Sequence, residues 1–168
     1  MILRRTLGLF LALTIAACLG LPSAAPASNQ GDGRLTQEGL RDLLAVSPGR
    51  VVAVNYWASW CGPCLTEMPT LKAMRAAYAP DDLTLFGVSF DFDPKAHERM
   101  LARLGLNFPS HLAQENLMQV LGVTTVPRTD FYDSQRRLVR SHEGLLTAEE
   151  FRAIVSSITA PDVSAKTP

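Results

Sequence analysis

The sequence is poor in cysteine, histidine and tryptophan, and has no excess of either charge. Its three cysteines, Cys18, Cys61 and Cys64, are too few for a scaffold built on disulfides. Basic and acidic side chains balance at 16 each, and no Lys/Arg run interleaved with aromatics marks a nucleic-acid surface. The three histidines, His97, His111 and His142, have no ligand-like spacing to the cysteines, as a zinc site would need. Leu65 follows Cys64, where covalent haem attachment would need histidine. No internal repeat is present. What remains is 47% hydrophobic and 19% charged, a composition that supports one buried core and argues against wholesale disorder.

The first 27 residues read as a secretory signal peptide. Arg4 and Arg5 form a short positive start. Residues 7–19 are apolar but fall short of the roughly 20 residues a comfortable membrane span needs. Gly20 and Pro22 break the run, and Ala25-Pro26-Ala27 supplies an A-x-A cleavage site. Ile15-Ala16-Ala17-Cys18 also resembles a bacterial lipobox; in that reading Cys18 becomes the lipidated first residue and the only link to a membrane. Arg4-Arg5 fits a twin-arginine signal poorly, given Leu3, Thr6 and Gly8. Both main routes export the domain to a periplasmic or other extracytoplasmic space, where disulfide chemistry is permitted. Losing the leader would leave 14 Lys and Arg against 16 Asp and Glu, and Cys61 and Cys64 as the remaining thiols.

The rest divides into a polar linker at 28–34, a domain at 35–160 and a tail at 161–168 with too little apolar content to pack. Thr36 is placed to cap a helix whose apolar positions are Leu40, Leu43 and Leu44, ending near Val46. Val51-Val52-Ala53-Val54-Asn55-Tyr56-Trp57 is an apolar run expected as a buried strand. Leu65, Met68, Leu71, Met74 and Tyr78 have helical spacing after Cys61, with the methionines expected as core and a kink expected at Pro69. A second buried strand is expected at 83–90, helices at 95–104 and 115–121, and a hairpin from 129–132 through Asp133-Ser134-Gln135 into 137–141. Thr147 and Glu150 make a capping box for a last helix carrying Phe151, Ile154, Val155 and Ile158. The order α-β-α-β-α-α-β-β-α implies an α/β fold with a mixed central sheet and helices on both faces.

The run Val54-Asn55-Tyr56-Trp57-Ala58-Ser59-Trp60-Cys61-Gly62-Pro63-Cys64 resembles the active-site segment of thioredoxins. Leu65-Thr66-Glu67-Met68-Pro69 is similar to the secreted TlpA/ResA-like branch of that superfamily; Gly87-Val88-Ser89, Asp93-Pro94 and Gly122-Val123-x-x-Val126-Pro127 follow at the family's spacing. The resemblance covers about residues 35–160 and implies a thioredoxin fold and thiol–disulfide oxidoreductase activity without a cofactor. Three departures stand out. A helix opens the domain where that branch usually has a β-hairpin. Asn55 sits where thioredoxins keep a buried aspartate, and Arg128 follows the proline where threonine is common.

Cys61 lies where a helix begins, and unpaired N–H groups with the positive end of the helix dipole stabilise a thiolate there. Cysteine ionises near ~8.5 when free and at roughly 3.5–7.5 in such motifs. Cys61 is therefore the expected nucleophile and Cys64 the resolving thiol; Pro63 is tolerated in a first turn. The competing readings are a purely structural disulfide and half of a metal site. Sequence alone favours trans at Pro127; the resemblance implies cis, packed against the disulfide and exposing the backbone of Val126 to substrate. Trp60, Gly62, Pro63, Val126 and Pro127 are the expected substrate contacts, and Trp57 is expected in the core. Glu67 is either a solvated helix residue or, as the resemblance implies, a proton acceptor serving Cys64. Arg128 either adds positive potential beside the thiolate or points to solvent. The resemblance also implies partner disulfides in apocytochrome c or copper-site proteins, a membrane electron donor of the DsbD/CcdA type, and a monomer. The alternatives are a disulfide-forming oxidase and a metal-delivery module that uses the two thiolates.

Overall fold

The computed structural model describes residues 33–160. The signal-peptide and lipobox readings, the linker up to residue 32 and the tail at 161–168 lie outside the described residues. In chain order the elements are α1 Gln37–Val46, β1 Val51–Trp57, α2 Gly62–Ala77, β2 Leu83–Ser89, α3 Pro94–Leu104, β3 Ser110–Leu112, α4 Leu117–Val120, β4 Arg128–Tyr132, β5 Leu138–Glu143 and α5 Ala148–Thr159. The five strands form one mixed sheet in the order β3-β2-β1-β4-β5. β1, β2 and β3 run parallel, and β4 pairs antiparallel with both β1 and β5. This is the α/β arrangement expected, with helices on both faces.

β1 is the middle strand and all seven of its residues are buried, which explains why it reads as a continuous apolar run. Its side chains alternate between two cores, as strand geometry requires. Val51, Ala53 and Trp57 join Cys64, Met68, Leu71 and Met74 of α2, together with Phe151 and Val155 of α5. Val52, Val54 and Tyr56 join Leu40 and Leu44 of α1 and Leu117 of α4. Asn55 is the polar exception, buried on the α2 side of the strand.

Helix boundaries follow the caps. The Thr36 hydroxyl accepts from the Gly39 N–H at 3.0 Å and opens α1. Thr147 and Glu150 close a reciprocal capping box on α5. Pro69 lies inside an α2 that continues to Ala77.

Three local features differ from expectation. β3 was not anticipated, because Ser110, His111 and Leu112 lack an apolar run; it exists through its neighbours. Gly87 of β2 has no Cβ, and one placed there would stand 2.9 Å from the Ser110 hydroxyl and 3.0 Å from the Trp57 indole nitrogen. That space lets the Trp57 Nε1–H donate to Ser110 Oγ at 3.0 Å. The hairpin turn is longer than Asp133-Ser134-Gln135. Asp133 Oδ1 accepts from the Gln135 and Arg137 N–H groups, and Arg136 takes φ 61°, so Arg137 stays in the turn. Arg34, assigned to the linker, donates to the carbonyls of Phe92 and Ala113, and Leu35 bridges to Ala113 at the sheet edge.

The sheet is also held at its base by a close backbone approach. A Cβ on Gly49 would lie 2.3 Å from the Thr84 backbone nitrogen and 2.7 Å from the Val51 carbonyl. Backbone atoms cannot step aside as a flexible side chain would. Gly49→Ala is therefore expected to cost about 1–3 kcal/mol of stability or more, seen as a lower denaturant midpoint with unchanged slope.

Candidate functional site

The site forms where β1 ends. Four residues, 58–61, separate β1 from α2, and the carboxyl edge of a parallel sheet is where open α/β folds present their chemistry. The loop is tied down from behind by Asp91, whose buried carboxylate accepts from the Ser59 N–H at 3.0 Å, the Ser59 hydroxyl at 2.7 Å and the Ser89 hydroxyl at 2.8 Å. The Phe90 N–H adds a bond to the Trp57 carbonyl at 2.9 Å. The start of α2 is thus fixed to the end of β2.

Cys61 is the N-cap of α2, and its sulfur accepts from the Cys64 N–H at 3.2 Å. The two sulfurs are bonded at 2.06 Å, so the pair is in its oxidised form. Cys61 keeps 6% exposure and Cys64 none, so Cys61 is the more exposed sulfur, as expected. An N–H directed at Cys61 Sγ in this state will stabilise negative charge there once the bond opens. Nothing lies within 4 Å of where a Gly62 Cβ would be, so the outer side of the loop is open. Trp60 stands 59% exposed beside it, while Trp57 is core, as expected. The Val126–Pro127 bond is cis, and the Val126 carbonyl oxygen lies 3.7 Å from Cys61 Sγ.

Glu67 is not a solvated helix residue. One turn beyond Cys64 on α2, it is buried to 2% exposure. Its Oε1 accepts from the Leu146 N–H at 2.7 Å and its Oε2 from Asn55 Nδ2 at 3.0 Å. Burial pushes this carboxyl above the ordinary value of 4.5, and the bonds from Leu146 and Asn55 hold it back in part. Asn55 Nδ2 also donates to Thr129 Oγ1 at 3.0 Å, and Asn55 Oδ1 has no partner among the described residues. The amide thus presents a donor to the ionised carboxylate and, if turned over, an acceptor to the protonated acid.

Arg128 fits neither of its expected roles. Its guanidinium grips Asp130 at two points, Nε to Oδ1 at 2.8 Å and Nη2 to Oδ2 at 3.0 Å. It also donates to Ser141 Oγ at 3.2 Å and, at 3.4 Å, to the Gly122 carbonyl. Its side chain is 12% exposed, and the charge is spent on a buried partner rather than on solvent or a thiolate. Alternation along β4 explains this: Arg128 and Asp130 share one face, and Thr129 takes the other, toward Asn55.

Sequence reasoning missed Leu146, Thr129 and the Ser59–Ser89–Asp91 cluster; Leu146 reaches Glu67 across 79 positions, Thr129 reaches Asn55 across 74 and Asp91 reaches Ser59 across 32. One signal was available. The capping box makes Leu146 the residue before the N-cap and Phe151 the fourth helical residue, the two positions of a hydrophobic staple. Both are buried in the same core, and the staple presents the Leu146 N–H to Glu67.

A family model described as Redoxin matches residues 24–151. The chain is 34% identical over 132 residues to the thiol:disulfide interchange protein DsbE homolog of Paracoccus denitrificans, covering 77% of this chain and 68% of that one. It is 28% identical over 123 residues to the thiol-disulfide oxidoreductase ResA of Geobacillus thermodenitrificans, covering 72% and 70%. The solved structure of StoA from Bacillus subtilis superposes with a TM-score of 0.58 at 23% identity, covering 65% of this chain and 84% of that one, and shows the same thioredoxin-like fold.

The raised Glu67 pKa has a sign in stability. Between 4.5 and its higher folded value, the folded state binds the proton more tightly than the unfolded chain. Stability therefore falls as pH rises through that window. Glu67→Gln removes this slope. Denaturant unfolding of the oxidised proteins at stepped pH should show the variant gaining on the wild type from pH 4.5 upward, then levelling off.

Proposed function

The chain belongs to the Redoxin family and is a ResA-like thiol–disulfide oxidoreductase of the thioredoxin superfamily, acting on protein thiols, and we propose that it works as a reductase outside the cytoplasm. The observation that supports this reading is the unequal pair at the head of α2. Cys61 is reachable beside an open loop, and Cys64 is sealed one turn from a buried carboxylate.

The Cys61 thiolate attacks one sulfur of a partner disulfide, forming a mixed disulfide and releasing the other partner sulfur as a thiolate. The Cys64 thiol gives its proton to the Glu67 carboxylate, and the resulting thiolate attacks Cys61 Sγ. That step closes the Cys61–Cys64 bond and releases the second partner thiolate. The partner has gained two electrons and this chain has lost them. Trp60, Gly62, Pro63, Val126 and Pro127 form the surface met by the partner backbone, with Val126 offering strand-like pairing. A dithiol donor of the DsbD/CcdA type reopens the pair. Partners are cysteine-bearing chains such as apocytochrome c or copper-site proteins, and the chain acts as a monomer. The leader at 1–27 supports an extracytoplasmic address, with Cys18 as the anchor if it is lipidated.

Cys61→Ala should abolish dithiol-dependent insulin reduction, and Cys64→Ser should accumulate partner-linked mixed disulfides that reducing electrophoresis releases. Retained insulin reduction in Cys61→Ala would overturn the mechanism. Equilibration with glutathione buffers gives the direction: a potential as high as that of a strong oxidant, about −120 mV, would make the protein an oxidase. Stoichiometric, tight Cu(I) binding without insulin reduction would make it a metal carrier.

A further inference from the structure

We propose that His142 is a positioning residue that couples the acidity of the medium to Glu67 through a single peptide group. The imidazole Nε2 lies 3.2 Å from the Leu145 carbonyl oxygen, and the Leu146 N–H donates to Glu67 Oε1 at 2.7 Å. That oxygen and that N–H are opposite ends of one planar, conjugated peptide unit. A donor on the oxygen, at the surface, draws electron density from the nitrogen and strengthens the buried hydrogen bond the N–H makes to Glu67.

The backbone path is built for this contact. β5 ends at Glu143, and Gly144 takes φ +88°, a conformation that favours glycine. The chain thereby doubles back and carries the Leu145 carbonyl to the ring of a residue three positions earlier. In the β4–β5 ladder His142 stands opposite Thr129, the residue whose hydroxyl takes the second bond from Asn55. Both donors to Glu67, Asn55 and the Leu146 amide, are therefore braced from the same pair of strands. His142 itself is partly exposed, so it meets solvent directly, whereas Glu67 is buried.

Two acidic groups face the ring and a third adjoins it in sequence. Glu67 faces it from α2, and the histidine's charge lowers its pKa, though less than burial raises it. Glu150 faces it from α5 and feels the same charge, while its carboxylate is engaged by the Thr147 N–H at 2.9 Å and hydroxyl at 2.7 Å. Glu143 is next along β5 and, by alternation, points to the opposite face, where Arg128 lies. Glu67 is the one of the three joined to the ring by a hydrogen-bonded relay.

An imidazole ordinarily changes charge between about pH 5 and 8. Protonated, it makes a charge-assisted bond to the Leu145 carbonyl and keeps Glu67 ionised in acid. Neutral, it relaxes that hold and leaves Glu67 the stronger base. The proton acceptor for Cys64 is thus adjusted toward the ambient pH from outside the core. This consequence for turnover rests on the reading of Glu67 given above; the linkage itself does not.

The test is a paired NMR titration of the full oxidised chain, following the Glu67 carboxyl carbon and the His142 ring. His142→Gln keeps an N–H donor but cannot titrate; Glu67→Gln reads the linkage from the other end. By reciprocity, His142→Gln should raise the Glu67 proton affinity and Glu67→Gln should lower that of His142 by the same factor, on the order of fivefold. Midpoints that stay put in both variants, or a shift in only one, would overturn the coupling. The rate at which Cys64 resolves a mixed disulfide, measured against pH, is a separate readout. Reciprocal shifts with an unchanged rate profile would leave the linkage standing and remove Glu67 from the thiol chemistry.

Discussion

The site depends on keeping one carboxylate ionisable out of water. A buried charge without partners is untenable, and Glu67 is held between an amide side chain from the central strand and a backbone N–H from the far end of the domain. Those donors come from residues 12 positions before it and 79 after it. β1, α2 and the β5–α5 loop must all be docked before the carboxylate has its bonds. A carboxylate held one turn from Cys64 is in this sense a property of the closed fold. Thioredoxins place a buried aspartate on the strand; here the strand carries a neutral amide and the helix carries the acid.

How much of this was legible in the sequence varies with the range of the interaction. Elements whose cause is local were readable: the Thr36 cap, the Thr147–Glu150 box, the apolar run of β1 and the helix head after Cys61. β3 was not, because its pairing depends on the missing side chain of Gly87 and on a serine that meets Trp57, neither of which leaves a periodic signal. Arg128 was misjudged for a related reason. Its position beside the proline left the sulfurs and the solvent both open, whereas strand alternation aligns it with Asp130, a partner two residues away on the same face. The greater exposure of Cys61 over Cys64 was legible from helix geometry; Glu67 was singled out only through the resemblance, since its burial and the Leu146 bond are tertiary facts.

The two halves of the pair are treated differently by the scaffold. Cys61 is governed by the first turn of α2, a local device that needs a helix and a fixed loop. Cys64 is enclosed by the core and lies one turn from Glu67, whose two donors come from β1 and from the β5–α5 loop. The same fold thus gives its two sulfurs surroundings of different range.

The Asp91 tether on Ser59 bears on who does the adapting. With both backbone and hydroxyl of Ser59 held by a carboxylate that Ser89 also binds, the approach to Cys61 keeps one shape, and little ordering entropy remains to be lost on this side of an encounter. The cost of fitting falls on the visitor. With Cys61 at 6% exposure, a disulfide on a slack polypeptide can be brought to it with less distortion than one fixed inside a rigid globule.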